Sequence, residues 1–231
     1  MRLDKLLVKL KYGSRSEVQK LIKQGFLKIN NQTITDVGKK IDPTKDEILL
    51  NEQLIYYKSE INLAIYKPKG YLSANHDPLY PTVMELIKPP YDRQDFKIAG
   101  RLDLDSEGLL ILTTLGKLVH EITSPNKEVS KIYQATLEKE ITKEELEKLL
   151  LTHYLRNAKK DLYESKALSV KWLEPKKVEV EINMGKYHQV KKMFIYLDNK
   201  VINLKRIQIG KLKLANLKPG EYIEFKREEL L

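Results

Sequence analysis

The chain has 231 residues, 42% of them apolar, which supports either one large domain or a small and a medium one. No run approaches the roughly 18 apolar residues of a membrane span, and the opening M-R-L-D-K-L-L lacks the apolar stretch and cleavage site of a signal peptide, so a soluble cytoplasmic protein is expected. Cysteine is absent, and His76, His120, His153 and His188 are scattered, which excludes disulfides, thiolate metal sites and the usual zinc and haem motifs; no metal is expected. The net charge of +10 favours a polyanionic partner, and it is concentrated: eight basic residues against two acidic ones up to Lys28, and eight against one from Gly185 to Lys213.

In the first basic segment Leu3, Leu6, Leu7 and Leu10 recur at helical spacing with Arg2, Lys5 and Lys9 between them, so one face is apolar and the other cationic. Gly13 is expected to end that helix. Ser14 and Glu17 form a capping box for a second helix, which turns Val18, Leu21 and Ile22 inward and carries Lys20 and Lys23 in its last turn. Phe26 to Ile29 and Ile48 to Leu50 read as short strands, with Asn30-Asn31 turning toward another near Thr33. Asn51 to Glu60 is a polar stretch suited to a linker. A solvated amphipathic helix pair with no ligand is the bland alternative.

Beyond it, Leu63 to Tyr66 reads as a strand broken by the turn Lys67-Pro68-Lys69-Gly70, whose lysines suit either phosphate or water. Thr82 to Ile87 reads as helical and is stopped by Pro89-Pro90. Phe96, Ile98 and Ala99 precede, and Leu109 to Leu112 follow, a polar bend that holds Arg101, Asp103, Asp105 and Glu107 between Gly100 and Gly108; the flanks suit two buried strands. Lys131 to Leu137 alternates like a strand, Lys143 to Leu151 is a charged helix, and Ala167 to Trp172 and Val178 to Ile182 alternate again. The fold class is α+β: a small helix-strand domain, residues 1–58, then a domain with a mixed, mostly antiparallel sheet, residues 59–231.

The bend admits three readings. Asp103, Asp105, Glu107 and Gly108 occupy the first positions of a calcium loop, but the acid needed at its twelfth position is Thr114 and the flanks are strand-like. An Arg101-to-acid pair across a surface turn is the second. Catalysis by one carboxylate, with neighbouring charges setting its position and ionisation, is the third.

G-R-L-D-L-D-S-E-G-L-L-I-L-T resembles the signature of pseudouridine synthases of the RsuA family, and the first 56 or so residues resemble the S4 RNA-binding module. The K-P-x-G turn, the K-x-Y strand with Lys131 and Tyr133, G-K-Y-H-Q-V-K-K-M-F from Gly185 and L-K-R-I-x-I-G from Leu204 follow in the family's order. The resemblance implies isomerisation of a flipped-out uridine to pseudouridine, with Asp103 as the essential carboxylate and Tyr133 against the base. Lys191 is implied as the cation that keeps an enclosed carboxylate ionised. Arg101 is implied in filling the vacated stack or holding a phosphate, Leu204 in lining the uracil pocket, and Lys67 in contacting substrate. In the module Arg2, Lys5, Ser14, Arg15, Lys23 and Lys28 become candidate RNA contacts, joined by Lys186 and Lys192 in the C-terminal basic motif. His188 and Gln189 are read as structural or RNA-facing, Asp105 and Glu107 as shaping the loop or anchoring the sheet.

The Y-H-Q-V-K stretch resembles the branch that acts on small-subunit ribosomal RNA. The implied partner is that RNA or the assembling small subunit, bound by a monomer without any cofactor, since the reaction is redox-neutral. A non-catalytic RNA-binding or assembly factor on the same scaffold is the competing class. A DNA-binding regulator would need a dimer and a recognition helix, and neither is evident.

Overall fold

The computed structural model describes residues 1–124 and 127–231, which contacts divide into two compact units: Met1–Ile61 with Ile87–Phe96, and Asn62–Leu86 with Lys97–Leu231. Among the described residues no helix is long and apolar enough to cross a membrane.

In the first unit, helix α1 (Leu3–Lys9) buries Leu3, Leu6 and Leu7 against Val18 and Ile22 of α2 (Arg15–Lys23). It stops at Leu10, earlier than Gly13, because Lys11 takes a left-handed conformation with φ 57°. Helix α2 starts as its sequence predicts: the Ser14 hydroxyl accepts from the Glu17 amide and the Glu17 carboxylate from the Ser14 amide. Strands β1 (Leu27–Ile29), β2 (Gln32–Ile34), β3 (Ile48–Leu50) and β4 (Gln53–Leu54) pair antiparallel in the order β2-β1-β3-β4. The expected linker, from Asn51 to Glu60, thus contains strand β4. Asn30 and Asn31 both have positive φ in the β1–β2 turn, a conformation asparagine tolerates. The strap Ile87–Phe96, which the sequence pattern assigns to the second domain, packs here: the Arg93 guanidinium lies 4.4 Å from the Tyr12 ring and donates to the Lys11 carbonyl.

The second unit is built on a large sheet. Its strands β5 (Asn62–Lys67), β6 (Lys97–Ala99), β7 (Glu107–Thr113), β8 (Lys131–Leu137), β11 (Ser169–Glu174), β12 (Lys177–Ile182), β13 (Val201–Ile209), β14 (Leu212–Lys213) and β15 (Tyr222–Glu224) run in the order β11-β12-β8-β13-β7-β5-β15, with β14 on β13 and β6 on β7. The pairings are antiparallel apart from β13 with β7. Strand β8 alternates buried and half-buried as its sequence alternates, whereas β5 and β7 are buried at nearly every position because both faces are covered.

On one face α5 (Gln189–Tyr196) sets Val190, Met193 and Phe194 against Ala135 and Val180; on the other α3 (Gly116–Thr123) sets Leu118 and Ile122 against Ala64 and Ile111. The expected helix at Thr82 to Ile87 is a single 3₁₀ turn, Val83–Leu86, and the one at Lys143 to Leu151 is α4 (Lys143–Glu147) running into a 3₁₀ turn. A separate ribbon, β9 (His153–Arg156) and β10 (Leu162–Ser165), lies on α5 through a stack of His153 on Tyr196 at 4.7 Å and a Gln189 side-chain bond to Ser165.

Candidate active site

The polar bend lies between β6 and β7, strands as its flanks predicted, which pair from Lys97 with Thr113 to Ala99 with Ile111; β7 is buried as expected, whereas β6 runs from exposed Lys97 to buried Ala99. Its backbone is pinned from several sides. The buried Ser73 hydroxyl donates to the Leu102 carbonyl at 2.8 Å and accepts from the Leu102 amide at 3.0 Å, acting as a one-residue strand partner. The Gly70 amide donates to the Leu104 carbonyl, and the Ser106 amide to the Asp103 carbonyl. Gly100, with φ 79°, supplies the left-handed step into the bend. Asp103 is therefore presented by a braced loop leading into a buried interior strand of the sheet.

The Asp103 carboxylate is one-third exposed, and its Oδ2 lies 3.1 Å from Lys191 Nζ and 3.3 Å from His188 Nε2. Both side chains come from the start of α5, where His188 caps the helix in a left-handed conformation and Lys191 follows one turn later. Such a φ on a residue with a side chain is a strained choice, here held by the Tyr187 ring stacked on His188 at 3.8 Å. Lys191 also bonds Asp105 through both oxygens, at 2.7 and 3.0 Å. Asp105 is thus the second anchor of the ammonium, beyond the loop-forming role read from the sequence. Burial pulls Lys191 down, but the hydrogen bonds and charges of Asp105 and Asp103 outweigh it and leave the lysine above its ordinary range. Burial likewise pushes Asp105 up, and Lys191 brings it below the usual carboxylate range.

A cavity of about 310 Å³ opens over this carboxylate, lined by Arg101, Asp103, Tyr133, Tyr187, His188 and Leu204 among others. Asp103, Tyr133, Arg101 and Leu204 thus meet at one cavity, with Lys191 holding the carboxylate. Tyr133, on β8, is buried, and its hydroxyl oxygen accepts from Nη1 of Arg206 on β13 at 3.3 Å. Arg206 is fully buried and does not stand out in the sequence; its place in L-K-R-I-x-I-G is the one available signal. Glu107 accepts from the Tyr66 hydroxyl at 2.8 Å; burial first, then this bond and charge, hold that phenol above the ordinary tyrosine range.

Lys67, for which a substrate contact is expected, lies inward. Its ammonium is fully buried and donates to the carbonyls of Pro68 and Tyr71 at 2.9 and 2.8 Å, closing the turn whose Gly70 braces the bend. Burial lowers it to about 8, even though Asp103 and Asp105 pull the other way.

Among the candidate RNA contacts of the first unit, Lys5, Arg15 and Lys23 are exposed. Lys5 and Arg15, with Arg2, Asp4 and Val8, line a shallow cavity of about 290 Å³. Arg2 forms a two-point pair with buried Asp4, Lys28 is paired with Glu52 at 2.6 Å, and the Ser14 oxygen is committed to capping α2. These three side chains thus also have partners within the unit. In the second unit Lys192 bonds the Arg156 carbonyl at 2.6 Å and covers the exposed Tyr187 ring, while exposed Lys186 lies over Tyr163.

Two family models match this arrangement of parts: residues 62–196 fit the one described as RNA pseudouridylate synthase, and residues 1–48 the S4 domain. The chain belongs to the RNA pseudouridylate synthase family, of the RsuA type, an isomerase family, and carries an S4 domain ahead of the synthase domain. An RNA pseudouridine synthase of Bacillus subtilis, YtzG, is 38% identical over all of this chain and 97% of its own length. Ribosomal small subunit pseudouridine synthase A of Pasteurella multocida is 34% identical over all of this chain and 98% of its own. A crystal structure of a pseudouridylate synthase superposes with a TM-score of 0.66 at 32% identity, covering 99% of this chain and 97% of that one.

Proposed function

We propose that the protein converts a specific uridine of small-subunit ribosomal RNA to pseudouridine, acting as a cytoplasmic monomer on the RNA or the assembling subunit, with Asp103 as the catalytic carboxylate. The observation that carries the reading is the fixing of Asp103: the Lys191 hydrogen bond and the approach of His188 both reach Oδ2, and among the described residues no hydrogen bond or ion pair engages Oδ1, leaving that oxygen for chemistry. The similarity to small-subunit enzymes and the Tyr187-His188-Gln189-Val190-Lys191 stretch support the choice of RNA.

In the reaction the bond from the base nitrogen to the sugar breaks, uracil turns, and a bond from carbon five to the same sugar carbon forms; carbon five loses a proton and the freed nitrogen gains one. Asp103 serves either as nucleophile or as the group that assists cleavage and moves the proton. Lys191 holds it aimed, Tyr133 packs on the base and hydrogen-bonds to it, and Leu204 gives the ring an apolar wall. Arg101, exposed at the mouth, occupies the gap left by the flipped base or binds its phosphate; flipping itself costs on the order of a few kcal/mol. Lys5, Arg15 and Lys23, with Lys186 and Lys192, supply salt-sensitive affinity for the surrounding RNA.

The test is to incubate wild type and Asp103→Ala with small-subunit RNA, with large-subunit RNA and with precursor particles, and to map pseudouridine. A single new pseudouridine made by wild type and absent with the variant is expected. Modification of large-subunit RNA alone would move the substrate, and RNA binding without modification in any assembly state would leave a binding factor.

A further inference from the structure

Arg206 occupies an irregular point of β13. It faces Gly108 in the parallel ladder with β7 and Tyr133 in the antiparallel ladder with β8, and the β13–β8 register shifts between Arg206 and Gln208. Such irregularities re-aim side chains. The backbones also close up here: a Cβ on Gly108, whose φ is 111°, would overlap the carbonyl oxygen and amide nitrogen of Arg206. The glycine that ends the bend is thus the one that admits this arginine.

The side chain is 1% exposed. Its Nε donates to the Leu109 carbonyl at 2.7 Å, and its Nη1 is shared by the Arg101 carbonyl and the Tyr133 hydroxyl oxygen, each at 3.3 Å. Its Nη2 is buried with no partner among the described residues. A guanidinium retained for stability alone would have all its donors satisfied, because an unpaired buried donor is destabilising. The environment adds to the cost: buried Lys131 lies close enough that, after burial itself, the Arg206 charge pushes it down to about 8. The location explains what is gained. Two of the acceptors are the backbone on either side of Asp103, and the third is the phenol that lines the cavity with it.

We propose that Arg206 is a positioning residue that orients the Tyr133 hydroxyl toward the substrate, its bonds to Arg101 and Leu109 anchoring the guanidinium to both ends of the Asp103 bend. Arginine carries donors only, so the Tyr133 oxygen must be the acceptor. The phenolic hydrogen is therefore turned away from Arg206 and is free to be donated into the cavity. With a neutral acceptor in place of Arg206 the same hydrogen would be drawn back into the sheet. The inference rests on the proposed roles of Asp103 and Tyr133.

It is tested by single-turnover pseudouridine formation at saturating RNA in wild type, Asp103→Ala, Arg206→Lys, Tyr133→Phe and the Arg206→Lys/Tyr133→Phe double variant. Expected are a loss of at least tenfold in rate for Arg206→Lys with RNA affinity within twofold of wild type, and no more than a further twofold loss when the same change is made in Tyr133→Phe. Equal losses in both backgrounds, or full activity of Arg206→Lys, would overturn the positioning role while wild type and Asp103→Ala still differ. Inactive wild type, or an active Asp103→Ala, would instead remove the underlying functional reading. Where Arg206→Lys does not melt cooperatively, ¹⁵N-arginine spectra of wild type and Tyr133→Phe decide: the Arg206 Nη signals shift on loss of the phenol oxygen if the contact holds, and unmoved signals refute it.

Discussion

In the first unit Lys5, Arg15 and Lys23 stand exposed on a pair of short helices, while in the second Lys191 is fixed to two carboxylates and Lys67, Lys131 and Arg206 are buried on carbonyls and a phenol. The same residue types do different physical work in the two places. Exposed ammonium groups keep their hydration and gain affinity by releasing counterions from a polyanion, which needs little geometric precision. Buried ones have lost hydration already, so their value lies in the atoms they hold in place. Net charge, identical in sign at both poles, conceals that division.

The comparison breaks first at Asp103. Asp103→Asn should lower single-turnover pseudouridine formation about 10³-fold or more while leaving RNA affinity nearly intact; retained activity would move the chemistry elsewhere. Lys191→Gln should cost about 10²-fold in the same rate, since it removes a fixed donor from the reacting group, with Lys191→Arg losing less. The triple variant Lys5→Ala/Arg15→Ala/Lys23→Ala should do the reverse. Its log-affinity against log-salt slope should flatten by about 2 to 3 and its rate at saturating RNA stay unchanged; a lowered saturated rate would mean that the two poles are not separable in function.

A fourth test concerns stability. Burial leaves Lys67 and Lys131 at about 8, below the ordinary 10.5, so between those values the unfolded chain holds protons that the folded chain has released. Folding stability should therefore rise with pH through that window, and below it the full cost of two buried charges remains. Urea unfolding of wild type from about pH 7.5 to 9.5 should show the rise, and Lys67→Met should show roughly half of it. Above that range Tyr66, held protonated in the fold, works against the trend. The smallest effect is expected at Ser14, where Ser14→Ala should destabilise the first unit by ~1 kcal/mol through loss of the α2 cap.

Much of the molecule is legible in its sequence, for identifiable reasons. The Ser14–Glu17 box and the alternation of Lys131 to Leu137 are local patterns that need no knowledge of the rest of the chain. Asp103, Tyr133 and Lys191 lie far apart in sequence, and a resemblance connects them; their convergence depends on β7, β8 and α5 being brought together by a sheet whose strand order no periodicity encodes. The burial of Lys67 is hidden because a lysine beside Pro-x-Gly has the composition of an exposed turn, and only the fold shows that β5 ends on it with its ammonium on the turn's carbonyls. Arg206 escapes notice for a related reason, since strand arginines are usually exposed and full burial is rare. The approach of His188 to Asp103 follows from the left-handed cap of α5, which a single sequence does not announce.

The strap Ile87–Phe96 has a practical consequence for dissecting the molecule. The polypeptide passes from one unit to the other three times, near residues 61, 86 and 96, so the S4 unit is not a contiguous stretch of sequence. A fragment cut at Ile61 would leave behind the Arg93 side chain that covers Tyr12, the Gln94 carbonyl that receives Lys11, and the Tyr91 ring set edge-on to Tyr56. Interchanging S4 units between related enzymes therefore requires two splices: the N-terminal segment and, well downstream, the ten residues that complete its packing and lead directly into the strand before Asp103.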